Sequence, residues 1–286
     1  MKMIIYFLEY LLIKFFFIFL KILPFKLSKT LSSFTVRFLG KLSSAHKTAI
    51  DNCKFVFPNL SQDKINKIID KSWNNIGETI SELIRLREFI ESKNITIKGI
   101  HNVENIKNNN SQAIFISIHQ SNWEVLAPTL DRQGLNLGAI YRHINNKYLD
   151  QMILNIRNNS LIFNSSFYTP KGRKSAKDLI DAIKNNFSIL LLIDQKDSAG
   201  ENILFFNKYV KTQIAFLKLA RKFNLPIIPI KNTRLDNGKI ELEFMDPIFH
   251  NNKMDDNKMM KEIHLIIEKW IITNPNQWFW QHKRFS

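Results

Sequence analysis

Ala113-Ile-Phe-Ile-Ser-Ile-His-Gln-Ser-Asn-Trp-Glu124 carries a short apolar run into a histidine and, five residues later, a carboxylate. A run of six residues, apolar but for Ser117, has the length of a buried strand rather than of a helix. On one continuous helix, five steps of about 100° would set His119 and Glu124 roughly 140° apart. The spacing therefore suits a bend, with His119 just past the strand end and Glu124 in the opening turns of the next helix. There the carboxylate can fold back onto one ring nitrogen while the other faces a substrate. Such a pair is equipped to take a proton from a hydroxyl, because a neutral imidazole accepts it and the carboxylate fixes the tautomer and steadies the imidazolium. The bare spacing also fits a plain capping arrangement at a strand-to-helix junction.

Working outward, further short apolar runs lie at Leu137 to Tyr141, Ile189 to Ile193, Ile227 to Lys231 and Ile240 to Met245. Helical patterns at Ser175 to Lys184 and Thr212 to Phe223 separate them, Ser61 to Glu91 repeats apolar residues at three and four, and Asn105 to Gln112 reads as a polar loop. Strands alternating with helices of this length predict a single-domain α/β sandwich with a largely parallel mixed sheet flanked by helices. The 286 residues suit one sizeable core. In such sheets ligands gather at the carboxyl ends of strands, where His119 stands and where Asp194-Gln195 follows Ser188 to Ile193.

Charge and the amino terminus narrow the setting. The chain carries 41 Lys and Arg against 25 Asp and Glu, a formal +16, which calls for an anionic partner. Met3 to Phe25 is rich in Phe, Ile and Leu but contains Glu9, Lys14 and Lys21, so residues 1–26 read as a membrane anchor that either spans or lies in the interface. The alternative is a core helix. No small-residue cleavage site follows, which argues against a removable signal. Residues 1–50 hold eight Lys or Arg against Glu9 alone, favouring the cytoplasmic side next to anionic lipid. Residues 27–286 then form the catalytic domain. The single cysteine, Cys53, rules out an intrachain disulfide and lends no support to a cysteine-ligated zinc site.

The run His119-Gln-Ser-Asn-Trp-Glu124 resembles the His-x4-Asp/Glu signature of the lysophospholipid acyltransferase superfamily, and its Asn122-Trp123-Glu124 ending resembles the branch that adds late acyl chains to lipid A. That branch usually has Phe-Gly where this chain has Gln120-Ser121. Tyr141-Arg142, Asn146, Leu149-Asp150 and Arg157 resemble the family's arginine-bearing run, which implies a guanidinium from Arg142 or Arg157 beside the catalytic pair. Asp194-Gln195 and Phe205-Phe206-Asn207 look like its Asp-Gln strand end and Phe-Phe-Gly turn, with Asn207 able to hold the glycine's positive φ. Thr212 stands where the family caps a helix. Trp278-Phe-Trp-Gln-His-Lys-Arg-Phe285 resembles its terminal block, and by itself reads as an interfacial aromatic belt or a core-packed tail. Lys171-Gly172-Arg173 is either an anion-binding turn or an ordinary basic one.

The resemblance implies an acyltransferase of the bacterial inner membrane, on its cytoplasmic face, moving a fatty acyl chain from an acyl carrier protein thioester to a lipid A precursor hydroxyl. It implies His119 as base with Glu124 orienting it, Asn122, Trp123, Arg142, Arg157, Lys171, Asp194 and Gln195 in support, and no metal or cofactor. The basic surface suits an acidic carrier protein and membrane lipids. A glycerolipid acyltransferase would carry Asp at the acid position and a Pro-Glu-Gly block. A membrane-tethered basic binding protein is the alternative of another class, and no signature for nucleic acid is present.

Overall fold

The run that begins at Ala113 becomes β2 (Ile114–Ser117), buried on both sides near the middle of a seven-stranded sheet. The computed structural model describes residues 2–109, 111–163, 165–250 and 254–285, with the backbone alone at 173–175. Five helices precede the sheet: α1 (Lys2–Ile22), α2 (Phe25–Lys41), α3 (Ser44–Val56), α4 (Gln62–Ile84) and α5 (Leu86–Glu91). Then follow β1 (Ile95–Lys98), α6 (Ile100–Asn108), β2, α7 (Leu126–Arg132), β3 (Leu137–Tyr141), α8 (Lys147–Asn158), β4 (Phe167–Pro170), α9 (Arg173–Lys184) and β5 (Ser188–Leu192). The chain continues through β6 (Glu201–Phe205), β7 (Lys208–Thr212), α10 (Ala215–Phe223), β8 (Ile227–Arg234), β9 (Ile240–Phe244) and α11 (Asp256–Thr273).

The sheet order is β1-β9-β8-β2-β5-β3-β4, parallel throughout except where β8 meets β9. This is the expected α/β sandwich. Alternation along the central strands divides the core, since Ile114, Ile116, Ile189 and Leu191 pack with α4, α9, α10 and α11, whereas Phe115 and Leu190 pack with α5, α6 and α7.

Several expectations change. The segment at 105–112 is not simply a loop: its first residues belong to α6, whose Val103 and Ile106 are buried and whose Asn102 bonds the carbonyls of Phe244 and Met245. The 61–91 helix breaks at Arg85. Thr212 does not cap a helix: it ends β7, α10 begins three residues later, and its hydroxyl accepts from Arg284. The β6–β7 hairpin turns through Phe206 (φ 48) and Asn207 (φ 59), so both central residues take positive φ, as the tight two-residue hairpin turn requires.

The helix pair α2–α4 is held by small and polar residues. A Cβ on Gly77 would collide with the Ser33 backbone, and one on Gly40 would meet the Trp73 ring at 2.6 Å. Ser32 and Ser33 donate to α4 carbonyls at Gly77 (2.7 Å) and Asn74 (3.2 Å). The carboxyl-terminal tail packs in the core, with Trp278 and Trp280 at 0% exposure, so it forms no exposed aromatic belt.

Candidate active site

Parallel register brings the first two site groups together. Ser117 pairs with Leu192 across β2 and β5, so the residues two further along each strand, His119 and Asp194, emerge side by side. Asp194 Oδ1 lies 2.7 Å from His119 Nδ1, and Oδ2 accepts from the His119 backbone N–H at 3.1 Å and from the Trp278 indole at 2.8 Å. An aspartate that accepts everything around it makes Nδ1 the protonated nitrogen and leaves Nε2 as the acceptor. The Gln195 side-chain amide sits 3.4 Å from Nε2. Burial pushes the Asp194 carboxyl up, but the charge and hydrogen bond of His119, then His282 and Trp278, hold it well below the usual carboxylate range. The imidazole is 18% exposed and walled by Trp123 and Phe279, with ring centroids at 5.3 and 6.2 Å.

Glu124 does not fold back onto the ring nitrogen. Its two oxygens take both donors of one edge of Arg157, Nε and Nη2, at 2.7 Å each, and the Trp123 indole adds a third bond at 3.0 Å. Burial raises the Glu124 carboxyl, yet the Arg157 charge and bonds, Trp123 and the nearby His119 outweigh it and keep the group ionised. The carboxylate bonded to His119 is therefore Asp194, and the Arg157 edge that would suit a substrate phosphate is already filled. Arg142 follows β3 and is exposed. Lys171 pairs with Asp197 at 2.9 Å, and the Arg173 side chain lies outside what the structure describes.

The bend between strand and helix is built from behind. Ser121 takes φ 54, the left-handed conformation that glycine adopts freely, and its carbonyl accepts from Asn75 (2.9 Å) and Thr79 (3.1 Å) of α4. Asn122 accepts from the Glu124 backbone N–H at 3.0 Å, capping a 3-10 turn at Trp123–Val125, and donates to Glu82 at 2.8 Å. Glu82 is 0% exposed and is gripped by Arg234 Nη1 and Nη2 at 2.5 and 2.8 Å and by Lys29 at 2.9 Å. Asn232 at the end of β8 donates to the Asn122 carbonyl at 2.7 Å. Glu82, Arg234 and Asn232 escape sequence reasoning. Glu82 lies in an apolar-periodic helix, and its burial inside that helix's polar face has no signature in spacing.

The tail completes the frame. Gln120 forms an antiparallel bridge with Trp278, and the Phe279 N–H donates to the His119 carbonyl at 2.9 Å. Asn146, the cap of α8, donates to the Tyr6 carbonyl (2.7 Å) and to Glu9 (3.1 Å), docking α1 against the helix that carries Arg157.

Over residues 1–286 the chain matches the family described as bacterial lipid A biosynthesis acyltransferase. It is 22% identical over 272 residues to the lipid A biosynthesis lauroyltransferase of Escherichia coli (strain K12), covering 92% of this chain and 85% of that one. To the myristoyltransferase of the same organism it is 21% identical over 254 residues, covering 85% and 76%. To its palmitoleoyltransferase it is 21% identical over 260 residues, covering 86% and 80%. With a match that runs the whole length of the sequence, sheet and amino-terminal helix included, the chain belongs to the bacterial lipid A biosynthesis acyltransferases.

Proposed function

We propose that this O-acyltransferase moves a fatty acyl chain from an acyl carrier protein thioester to a hydroxyl of a lipid A precursor at the cytoplasmic face of the inner membrane, with residues 1–26 as anchor and 27–286 as the catalytic domain. The observation that carries the chemistry is the His119–Asp194 pair at adjacent strand ends, which makes Nε2 the acceptor nitrogen of an imidazole that stays 18% exposed, with the Gln195 amide 3.4 Å from it. Nε2 takes the acceptor's proton as its oxygen attacks the thioester carbonyl. Asp194 holds the ring and balances the imidazolium. The C–S bond breaks, the proton passes to the departing thiolate, and the acceptor itself is the nucleophile. Glu124, fixed by Arg157, adds a second negative charge near the imidazolium and sets the wall formed by Trp123.

The experiment is acylation by the purified protein with acyl carrier protein thioesters and either a lipid A precursor or lysophosphatidate. Product on the lipid A precursor alone is the expected result. Product on lysophosphatidate alone would shift the assignment to glycerolipid synthesis, and the same pattern with coenzyme A thioesters but not the carrier would remove the carrier protein.

A further inference from the structure

Two apolar faces on α1 and α2 are left without a partner among the described residues. On α1, Ile4, Leu8, Leu12, Phe15, Phe19 and Ile22 are 50% to 76% exposed and fall within an arc of about 80° at 100° per residue. On α2, Leu27, Phe34 and Phe38, with Leu42 that caps it, are 51% to 74% exposed and fall within a similar arc. The opposite side of α2 is Ser28, Ser32, Ser33 and Gly40, all buried on α4. A helix of a water-soluble domain buries its apolar stripe and wets its small polar one. α2 does the reverse.

The lie of α1 follows from its two ends. Near the start, Asn146 bonds Tyr6 and Glu9, and near the end, Arg85 Nη2 donates to the carbonyls of Lys21 (2.5 Å) and Leu23 (2.6 Å). Between them Leu20 is fully buried and Phe17 packs on the core. Tyr6 and Lys21 are about 22 Å apart along the helix. If α1 crossed a hydrocarbon layer of about 30 Å, it would draw Asn146, Arg85 and the domain that carries them in with it, at the cost of burying polar and charged groups in lipid.

We propose that α1 and α2 form a two-helix platform bedded sideways in one leaflet of an anionic bilayer, with the Leu27–Phe34–Phe38–Leu42 face of α2 as a second lipid-contacting surface. This rests on the membrane reading given above. Lipid is the occupant that fits, because α2 follows α1 directly with its apolar face equally uncovered, and because the cations at their junction, Lys14, Lys21 and Lys26, take part in no ion pair among the described residues, whereas Lys29, Arg37 and Lys41 are tied to Glu78, Glu82 and Asp70 of α4. α8 docks on α1 through Tyr148, which packs on Phe7 and Tyr10 at 5.6 and 5.8 Å, so the helix bearing Arg157 lies beside the platform. A lipid acceptor then reaches the site from within the leaflet.

The test uses full-length protein with Cys53→Ala and single cysteines introduced as Ile4→Cys, Phe15→Cys, Ile22→Cys or Phe38→Cys, with Lys258→Cys as the aqueous control. Each carries an environment-sensitive fluorophore and is mixed with phosphatidylglycerol and phosphatidylethanolamine vesicles holding nitroxides at headgroup, shallow or deep acyl positions. The expected result is a blue shift and strongest shallow quenching at all four test positions, with positions 4 and 22 at equal depth. A crossing helix would separate those two by about 27 Å in depth and overturn the sideways platform. Quenching at position 15 with none at 38 would overturn the role of α2 while sparing the membrane reading. Quenching at none of the four would remove both. A blue shift at 38 without vesicles would assign the face to a second copy and overturn the proposal.

Discussion

The carboxylate after β5 and the carboxylate before α7 both lie close to His119, in opposite surroundings. Asp194 faces an imidazole, an indole N–H and a backbone N–H. Glu124 faces a full guanidinium edge. Both are buried and both are held ionised, but only Asp194 faces a ring that can gain or lose a proton. The charge of Glu124 is matched by a permanent cation, since an arginine does not deprotonate in the working range. The difference teaches that a histidine and an acid at a fixed short spacing need not be bonded partners. The near acid can build the wall and a distant one can orient the base.

The largest effect expected from breaking this comparison is in rate. His119→Ala should remove acyl transfer altogether while the protein stays folded, and Asp194→Asn should lower it by roughly three to four orders of magnitude, as when the orienting acid of a triad is neutralised. If Asp194→Asn turns over normally in a steady-state acylation assay, the orienting role returns to Glu124. Glu124→Gln should behave differently. It strands a buried Arg157, so unfolding stability should fall by about 3–5 kcal/mol alongside a loss of rate. Adding Arg157→Gln should recover part of that stability without recovering the rate, and a chemical-denaturation double-mutant cycle measures the coupling. Arg157→Lys should be nearly as damaging as Arg157→Ala, because an ammonium cannot supply two parallel donors.

A smaller effect belongs to pH. Burial pushes His264 down to about 3 and His282 down to about 4. Both are neutral in the fold, whereas the unfolded chain protonates them below about 6.5, so it binds more protons there and stability falls as pH drops from 6.5 towards 4. The slope from one such group is about 1.4 kcal/mol per pH unit. Below about pH 4 the depressed Asp194 and Glu124 carboxyls add their own loss, because the unfolded chain takes up their protons first. Thermal melts at pH 7, 6 and 5 should show the histidine slope, and His264→Gln should flatten it. The smallest effect concerns the bend itself. Ser121→Gly should stabilise by up to about 1 kcal/mol by relieving a left-handed non-glycine residue, and Ser121→Val should destabilise by more.

The central strands were legible because parallel, two-sided burial makes them continuous apolar runs, and β3 begins and ends where its run does. The edge strands β1 and β4 were not, since Thr96, Lys98 and Tyr168 break the apolar signal. The turn at Phe206-Asn207 was read through Asn207, but the strands β6 and β7 on either side of it were not, since Glu201, Asn202, Lys208 and Lys211 break the apolar signal. At the site, His119, Asp194 and Gln195 were legible as strand-end residues. Their bonding was not, because it depends on β5 inserting beside β2 ahead of β3, and strand order is written in packing rather than in spacing. The choice between Arg142 and Arg157 was open for a similar reason: Arg157 lies on α8 with its guanidinium on Glu124, Arg142 follows β3 and is exposed, and spacing alone does not orient either side chain. The inverted α2 defeats periodicity altogether, since its apolar stripe has the spacing of a core helix and points outward.

The tail at Trp278 and Phe279 has a consequence for the order in which a working enzyme comes into being. Strands β2 and β5 can pair as soon as both have been made, yet the indole that bonds Asp194 lies 84 residues further along the chain. At about 5–20 residues per second, translation of that stretch takes several seconds. During that interval β2 and β5 can set His119 beside Asp194, but the indole and the Phe279 N–H that steady them are still to come. A chain that ends before Trp278 lacks two of the bonds that frame His119 and Asp194, so the frame is complete only when the tail has docked.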